Sequence, residues 1–343
     1  MMGGRQQLQR IYFFLINALG AEGRMLRDIR RNQHLIVLNL HHVQPEPNPY
    51  WSPLHPRLFE ELLQFVAPRF RVTTFDQLSK NSDPRPPLVL SFDDGYYDYI
   101  EYAVPLLHKY GLPSNQNVVT DCVLTGQPPA IVRLCDFLNQ APDALIDEIC
   151  LPGFPLTLRN RSTEAKTRYG TALCRFMKMR PCSEAAPLWD MLDRVMSKLD
   201  FCPSRMMSVS DIGEIASGHE VGAHSSSHQS MELENDSFFE QDLDRCLILF
   251  RDQLKLPLRV YAFPNGSWRP ELVRILERRG VEHILLVGDA YASIGEHVYP
   301  RFNYYAESRH MARVCALGFK RQRSVLCTTL SILAYRPTKQ TRQ

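Results

Sequence analysis

Ser91-Phe92-Asp93-Asp94-Gly95 sets two adjacent carboxylates and a glycine at the end of an apolar run, Pro87-Leu88-Val89-Leu90. Much further along, His224-Ser225-Ser226-Ser227-His228 sets two imidazoles four residues apart, directly after the small, apolar Val221-Gly222-Ala223. One carboxylate and two neutral imidazoles suit a borderline-soft divalent ion such as zinc and leave room for water. Such an ion lowers the pKa of its water from about 15.7 towards about 7, which supplies hydroxide near neutrality. Adjacent residues at a strand end point different ways, so Asp93 and Asp94 need not compete for one ion. One ligates while the other accepts a proton from the water. Taken singly, Asp-Asp-Gly is an ordinary turn and the histidine pair an ordinary capped loop. Neither reading explains why both fall at strand ends of one alternating fold.

The strands are read from the hydrophobic pattern. His34 to Leu40 is a short apolar run that ends in His41-His42-Val43 and a loop rich in Pro and Asn over 44–53. Further strand-like runs are 71–74, 87–90 leading to a strand end at Asp93 and Asp94, 113–120, 220–224, 258–264 and 283–287, with helical spacing over 55–66, 97–110, 238–254 and 269–279. A helix over 210–217 takes Ser210 or Asp211 as its N-cap and stops at Gly218. Such alternation predicts a parallel sheet or barrel. Active groups of these folds lie at the C-terminal ends of strands, and His41, Asp93, Asp94, His224, His228 and Pro264 all fall there. Residues 121–207 break the rhythm: their helical period, cut by prolines, predicts a helical insertion that acts as a lid without chemistry of its own.

At 343 residues the chain can hold one α/β barrel, and its 44% hydrophobic and 22% charged residues are ordinary for a folded soluble protein. A net charge of +3 is too small to argue for nucleic acid as a partner. Nine scattered cysteines with no C-x-x-C pair fit a reducing, cytoplasmic compartment. Ile11 to Ala21 is apolar but about half the roughly 20 residues that span a bilayer. No small-x-small cleavage site follows it. Residues 1–33 are therefore expected to form an amphipathic helical segment. It either packs on the domain or makes peripheral contact with the inner face of a membrane. The arginines from Arg24 to Arg31 and the basic residues from Lys320 to Arg342 read as solvated ends.

Leu90-Ser91-Phe92-Asp93-Asp94-Gly95 resembles the [TS]-F-D-D-G motif of the polysaccharide deacetylases, the NodB-homology or carbohydrate esterase family 4 enzymes. Gly222 to His228 resembles their G-x-H-[ST]-x-x-H motif, and Ala262-Phe263-Pro264-Asn265-Gly266 is similar to their F-A-Y-P-Y-G segment. Leu40-His41-His42-Val43 resembles the Y-H-x-V that opens the domain in a bacterial branch. The resemblance implies a distorted (β/α)7 barrel over 34–305 with the helical insertion at about 121–207, followed by a C-terminal helix and basic tail over 306–343. It also implies Asp93 as catalytic base and a divalent ion, usually zinc, on Asp94, His224 and His228. Phe263, Pro264, Asn265 and Gly266 would line the acyl pocket, with a backbone N–H near Asn265 holding the oxyanion.

Two departures stand out. Ala262 occupies the place of the arginine that orients the base in members with R-x-P-Y, and Arg301 is the expected substitute on the substrate side of the site. The late leucine-x-histidine motif, whose histidine protonates the leaving amine, is not recognisable. His41 is the first candidate for that acid, ahead of His283 and His297. The implied activity is removal of an N-acyl group, normally acetyl, from an amino sugar in a glycan, a nucleotide sugar or a lipid-linked sugar. A deformylase or other amidase on a lipid-linked amino sugar is the enzymatic alternative, and a carbohydrate-binding protein without catalysis the other.

Overall fold

The computed structural model describes residues 4–319 apart from 81–82 and 159–160. Eight strands occur among them: β1 Ile36–Leu40, β2 Arg71–Thr73, β3 Pro87–Phe92, β4 Asn115–Val118, β5 Glu220–Ala223, β6 Val260–Ala262, β7 His283–Val287 and β8 Val298–Asn303. All their pairings are parallel. Seven close a ring in which β1 pairs with both β8 and β3, so the fold is the distorted (β/α)7 barrel that the resemblance implied. The eighth, β2, lies against the first half of β3, while β4 takes the same edge of β3 at Ser91 and Phe92.

Which strands make the ring differs from the reading of the pattern. Residues 71–74 supply the extra strand, and the closing member is β8, which was not expected. Its sequence, Val-Tyr-Pro-Arg-Phe-Asn, carries a proline and an arginine, and proline removes a ladder donor. Strand β8 nevertheless pairs on both sides, with β7 through Leu286 and Pro300 and with β1 through Asn39 and Asn303.

Burial inside the ring is of two kinds. The apolar residues of β1 and β3 are covered on both faces, as parallel sheets require. Strand β4, by contrast, is Asn115-Gln116-Asn117-Val118, and every residue is buried. Two of these three amides serve polar partners: Asn115 Oδ1 accepts from Ser91 Oγ and Asn117 Nδ2 donates to Asp93 Oδ1, both at 2.9 Å.

The helix before β5 runs over Val209–Ile215 with Ser208 as N-cap, two or three residues earlier than the expected Ser210 or Asp211. The Ser208 hydroxyl accepts from Asp211 N–H while the Asp211 carboxylate accepts from Ser208 N–H, so Asp211 is the third residue of a capping box and not the cap.

The insertion has an apolar core of its own, around Leu134, Phe137, Leu173 and Leu192, apart from the cluster that surrounds the barrel. Its helices are Ala130–Gln140, Asp143–Asp147, Thr163–Lys178 and Cys182–Met196. Its far end is zipped to the segment after Asp94 by Tyr97 N–H on Arg205 O and Met207 N–H on Gly95 O, both 2.9 Å.

The N-terminal segment is two helices, Gly4–Ala18 and Ala21–Asn32, broken at Gly20, whose φ is 75°. Phe13 and Ile16 are buried, while Ile11, Phe14, Leu15 and Leu19 face outward. No helix among the described residues is long and apolar enough to cross a membrane. A C-terminal helix, Arg309–Cys315, is present, and the basic tail from Lys320 lies outside the described residues.

Candidate metal centre and active site

The ends of β3 and β5 meet at the mouth of the barrel. Nε2 of His224 and Nε2 of His228 lie 3.5 and 3.2 Å from the same atom, Oδ1 of Asp94. That oxygen is buried and accepts no hydrogen bond among the described residues. The His224 Nδ1 is 2.9 Å from the Ala262 carbonyl, an acceptor only, so Nδ1 carries the proton and the lone pair of Nε2 faces Asp94. Burial drives the His224 pKa down to about 4 against the pull of Asp93 and Asp94, which keeps the ring neutral. An orphaned carboxylate oxygen facing two Nε2 atoms, one on a ring held neutral, is a donor set that fits a tetrahedral divalent ion with one position left for water.

Backbone conformation supports this convergence. Asp94, Ser225, His228 and Asn265 all adopt left-handed φ, between 56° and 78°, although none is glycine. Each such residue costs on the order of 1 kcal/mol or more and persists only where its surroundings hold it. The serine loop between the histidines is held by Asp242, fully buried on the helix Asp236–Leu249. Its two oxygens accept from the N–H groups of Ser226 and Ser227 at 2.7 and 2.9 Å. Ser225 Oγ accepts from His228 N–H at 2.8 Å and closes the turn.

Asp93 is treated differently. Its Oδ1 accepts from Arg301 Nη1 at 2.8 Å and from Asn117 Nδ2 at 2.9 Å, and its Oδ2 points to the centre, 3.9 Å from His224 Nε2. Burial would raise this carboxyl, but the Arg301 guanidinium, with His224 and His41, outweighs it and holds the pKa at about 2. Arg301 is itself fully buried beneath Asp93 and also reaches Ser91 Oγ at 3.2 Å. It is thus not on the substrate side of the site; it fixes the carboxylate from below. Gly222 makes room for the same network, since a Cβ there would stand 2.4 Å from Asn117 Oδ1.

A cavity of about 170 Å³ opens above these groups and is lined by Asp93, Asp94, His224, His228 and His41, with Phe263, Asn265 and Gly266 on one wall. Pro264 is buried at the start of that turn and does not face the cavity. Asn265 turns its amide towards His228 O and Ser230 Oγ, at 3.5 and 3.3 Å. His42, the neighbour of His41, stacks on Tyr96 and pairs with Asp98 at 2.5 Å, away from the centre. His283 begins β7 at the opposite end of the barrel, near Asp76 and Glu282, and His297 precedes β8.

Residues 210–284 match the polysaccharide deacetylase family model, a stretch that spans both histidines, β5, β6 and the Asn265 turn. Over that stretch the chain is similar to the polysaccharide deacetylase family. Among solved structures, the deacetylase PplD of Streptococcus pyogenes aligns with 15% identity and a TM-score of 0.54, over 83% of this chain and 98% of that one. IcaB from Ammonifex degensii aligns with 17% identity and a TM-score of 0.53, over 83% and 97%. BC0361, a polysaccharide deacetylase from Bacillus cereus, gives 12% identity and a TM-score of 0.54, over 83% and 69%. No curated protein matches the chain.

The motifs singled out in the sequence meet in space, but several of their supports were not anticipated. Asn117 and Asp242 act from buried positions, and only the run of amides in β4 signalled the first of them. Trp51 comes from the Pro- and Asn-rich loop, and Ile131, Val132 and Lys178 come from the insertion; all four line the cavity. The insertion thus covers one side of the candidate site, a placement that fits the expected lid.

Proposed function

We propose that the chain is a metal-dependent hydrolase that removes an N-acyl group, normally acetyl, from an amino sugar. What carries this reading is the division of labour between the paired aspartates. Asp94 faces two imidazole nitrogens, while Asp93, beside it, is clamped through one oxygen and keeps the other free. A divalent ion held by Asp94, His224 and His228, most simply zinc, would acidify water and polarise the amide carbonyl. Asp93 Oδ2 is then the atom that takes the proton of the attacking water, and Arg301 and Asn117 keep it aimed. The wall from Phe263 to Gly266 receives the acyl group, with a backbone N–H near Asn265 directed at the oxyanion. His41, at the end of β1 and on the cavity wall, protonates the leaving amine. Its position after Leu40, together with Arg301 under the base, supports placement in the Y-H-x-V branch.

The substrate is an amino-sugar glycan or a nucleotide- or lipid-linked sugar. The outward stripe of Ile11, Phe14, Leu15 and Leu19 at helical spacing, followed by Arg24, Arg27, Arg30 and Arg31, supports contact with an anionic membrane surface. The Streptococcus pyogenes deacetylase is described with acetate bound, and acetate is the co-product this reaction would release.

The test is acyl release from a panel of N-acylated amino sugars by protein reconstituted with zinc, alongside elemental analysis. Acetate release that falls about 10²–10⁴-fold in Asp93→Asn is expected. Formate in place of acetate would identify a deformylase. Sugar binding without release of any acyl group, unaltered by Asp93→Asn, would overturn the hydrolase in favour of a binding protein.

A further inference from the structure

Lys178 ends the insertion helix Thr163–Lys178, and its side chain lines the same cavity as Asp93, Asp94 and the two imidazoles. Its ammonium lies 5.6 Å from the centre of the Trp51 ring, within the range where an aromatic face attracts a cation. Trp51 lines the cavity too and meets the His41 ring edge-on at 5.1 Å. Among the described residues no carboxylate pairs with Lys178, whereas Lys109, Lys166 and Lys198 pair with Glu60, Asp143 and Glu148.

Its position is built, not incidental. The Ser230 hydroxyl donates to the Lys178 carbonyl at 2.9 Å, and the Asn265 amide donates to that hydroxyl at 3.3 Å. Asn265 in turn reaches the carbonyl of His228, so the end of the insertion helix is tied to both turns that shape the candidate metal centre. A lysine at a helix C-terminus also complements the helix dipole, but that role asks for no aromatic neighbour and no cavity.

We infer that Lys178 and Trp51 form a subsite for an anionic substituent, a phosphate or a carboxylate, carried by the amino sugar. Trp51 offers a flat apolar face to the sugar ring, and Lys178 supplies a point charge to the anion. Arg301 offsets the charge of Asp93, and a divalent ion on Asp94, His224 and His228 would offset that of Asp94, so an anion is not turned away. The sugar part of this assignment rests on the hydrolase reading; the charge preference does not.

Calorimetric binding to the zinc-loaded protein separates the two. The probes are N-acetylglucosamine, its 6-phosphate, and N-acetylmuramic acid, which carries a carboxylate. Wild type should bind one or both charged sugars about tenfold tighter than the neutral one, a preference that high salt weakens. Lys178→Gln should erase the preference and Lys178→Arg should keep it, with melting curves confirming that both fold. Equal affinity for all three sugars in wild type overturns the subsite, as does a preference that survives Lys178→Gln. Should Lys178→Gln not fold, the wild-type preference and its salt dependence decide. Acetate is measured in parallel. A charge preference without acetate release upholds the subsite and overturns the hydrolase. Acetate release with equal kcat/KM on charged and neutral sugars does the reverse.

Discussion

In the barrel, the interior towards the mouth is filled with Asn39, Ser91, Asn117, Asp93 and Arg301, all buried and polar or charged. In the helical insertion, the interior around Leu134, Phe137, Leu173 and Leu192 is apolar. The two regions touch at one cavity, to which the barrel brings carboxylates and imidazoles and the insertion brings Ile131, Val132 and Lys178. Buried polar groups are costly without partners, and the partners that Asp93 has, Arg301 and Asn117, hold its carboxylate in one geometry. An apolar core is cheaper to build and tolerates change in shape. On the proposed function, the contrast is between a barrel that holds atoms for chemistry and an insertion that shapes the cavity above them.

The sharpest way to break this division is to remove a group from the polar side. His228→Ala should abolish retention of the metal in elemental analysis and lower acyl release by at least about 10³-fold, without unfolding the insertion. If the variant keeps both metal and activity, the candidate centre is wrong.

Arg301→Met comes next, because it leaves Asp93 buried without its cation. Breaking a buried pair from one side typically costs about 3–5 kcal/mol, read as a fall in denaturation midpoint, and the base loses its aim as well. A variant as stable and active as wild type would show that Asn117 alone holds the carboxylate.

Asp242→Asn weakens the serine loop without touching a ligand. Metal affinity should fall about 10–100-fold, measured by chelator competition, as for other groups that orient ligands from behind. On the apolar side, Leu173→Ala should cost about 2–5 kcal/mol of stability in the insertion yet leave metal affinity unchanged. Equal losses of metal in Leu173→Ala and Asp242→Asn would erase the distinction between the regions.

The smallest effect concerns the opposite end of the barrel. Glu220, which begins β5, accepts from the N–H groups of Asp76 and Phe75 at 2.8 and 3.2 Å. Burial nonetheless raises its pKa from 4.5 to about 7. The folded state therefore binds this proton more tightly than the unfolded chain does. Its contribution is complete below pH 4.5 and is lost as pH rises through about 7. Glu220→Gln should flatten the stability profile across that window in pH-dependent denaturation; an unchanged slope would assign the titration elsewhere.

The reactive residues were legible because they are local. Two carboxylates after an apolar run, and two imidazoles after another, identify strand ends without knowledge of the rest. The helix before β5 was legible in place but not in its cap, because Ser208 and Asp211 define it jointly. Strand β8 was hidden by Pro300, which argues against a strand until pairing on both sides is seen. Arg301 was suspected from its family resemblance, yet its place under Asp93 follows only from closure of the ring, which brings residues 208 positions apart to 2.8 Å.

By itself, then, the sequence determined the paired carboxylates, the paired imidazoles and the alternation that sets them at strand ends, since each depends on neighbours within a few residues. Only the tertiary structure decided which oxygen of Asp93 is clamped and which is free, and that Asn117, Asp242, Trp51 and Lys178 belong to the site. Those assignments depend on contacts between strands, loops and an insertion far apart along the chain. Hydrophobic period carries no record of such contacts, because a buried amide or a lone lysine has the same local pattern wherever it faces.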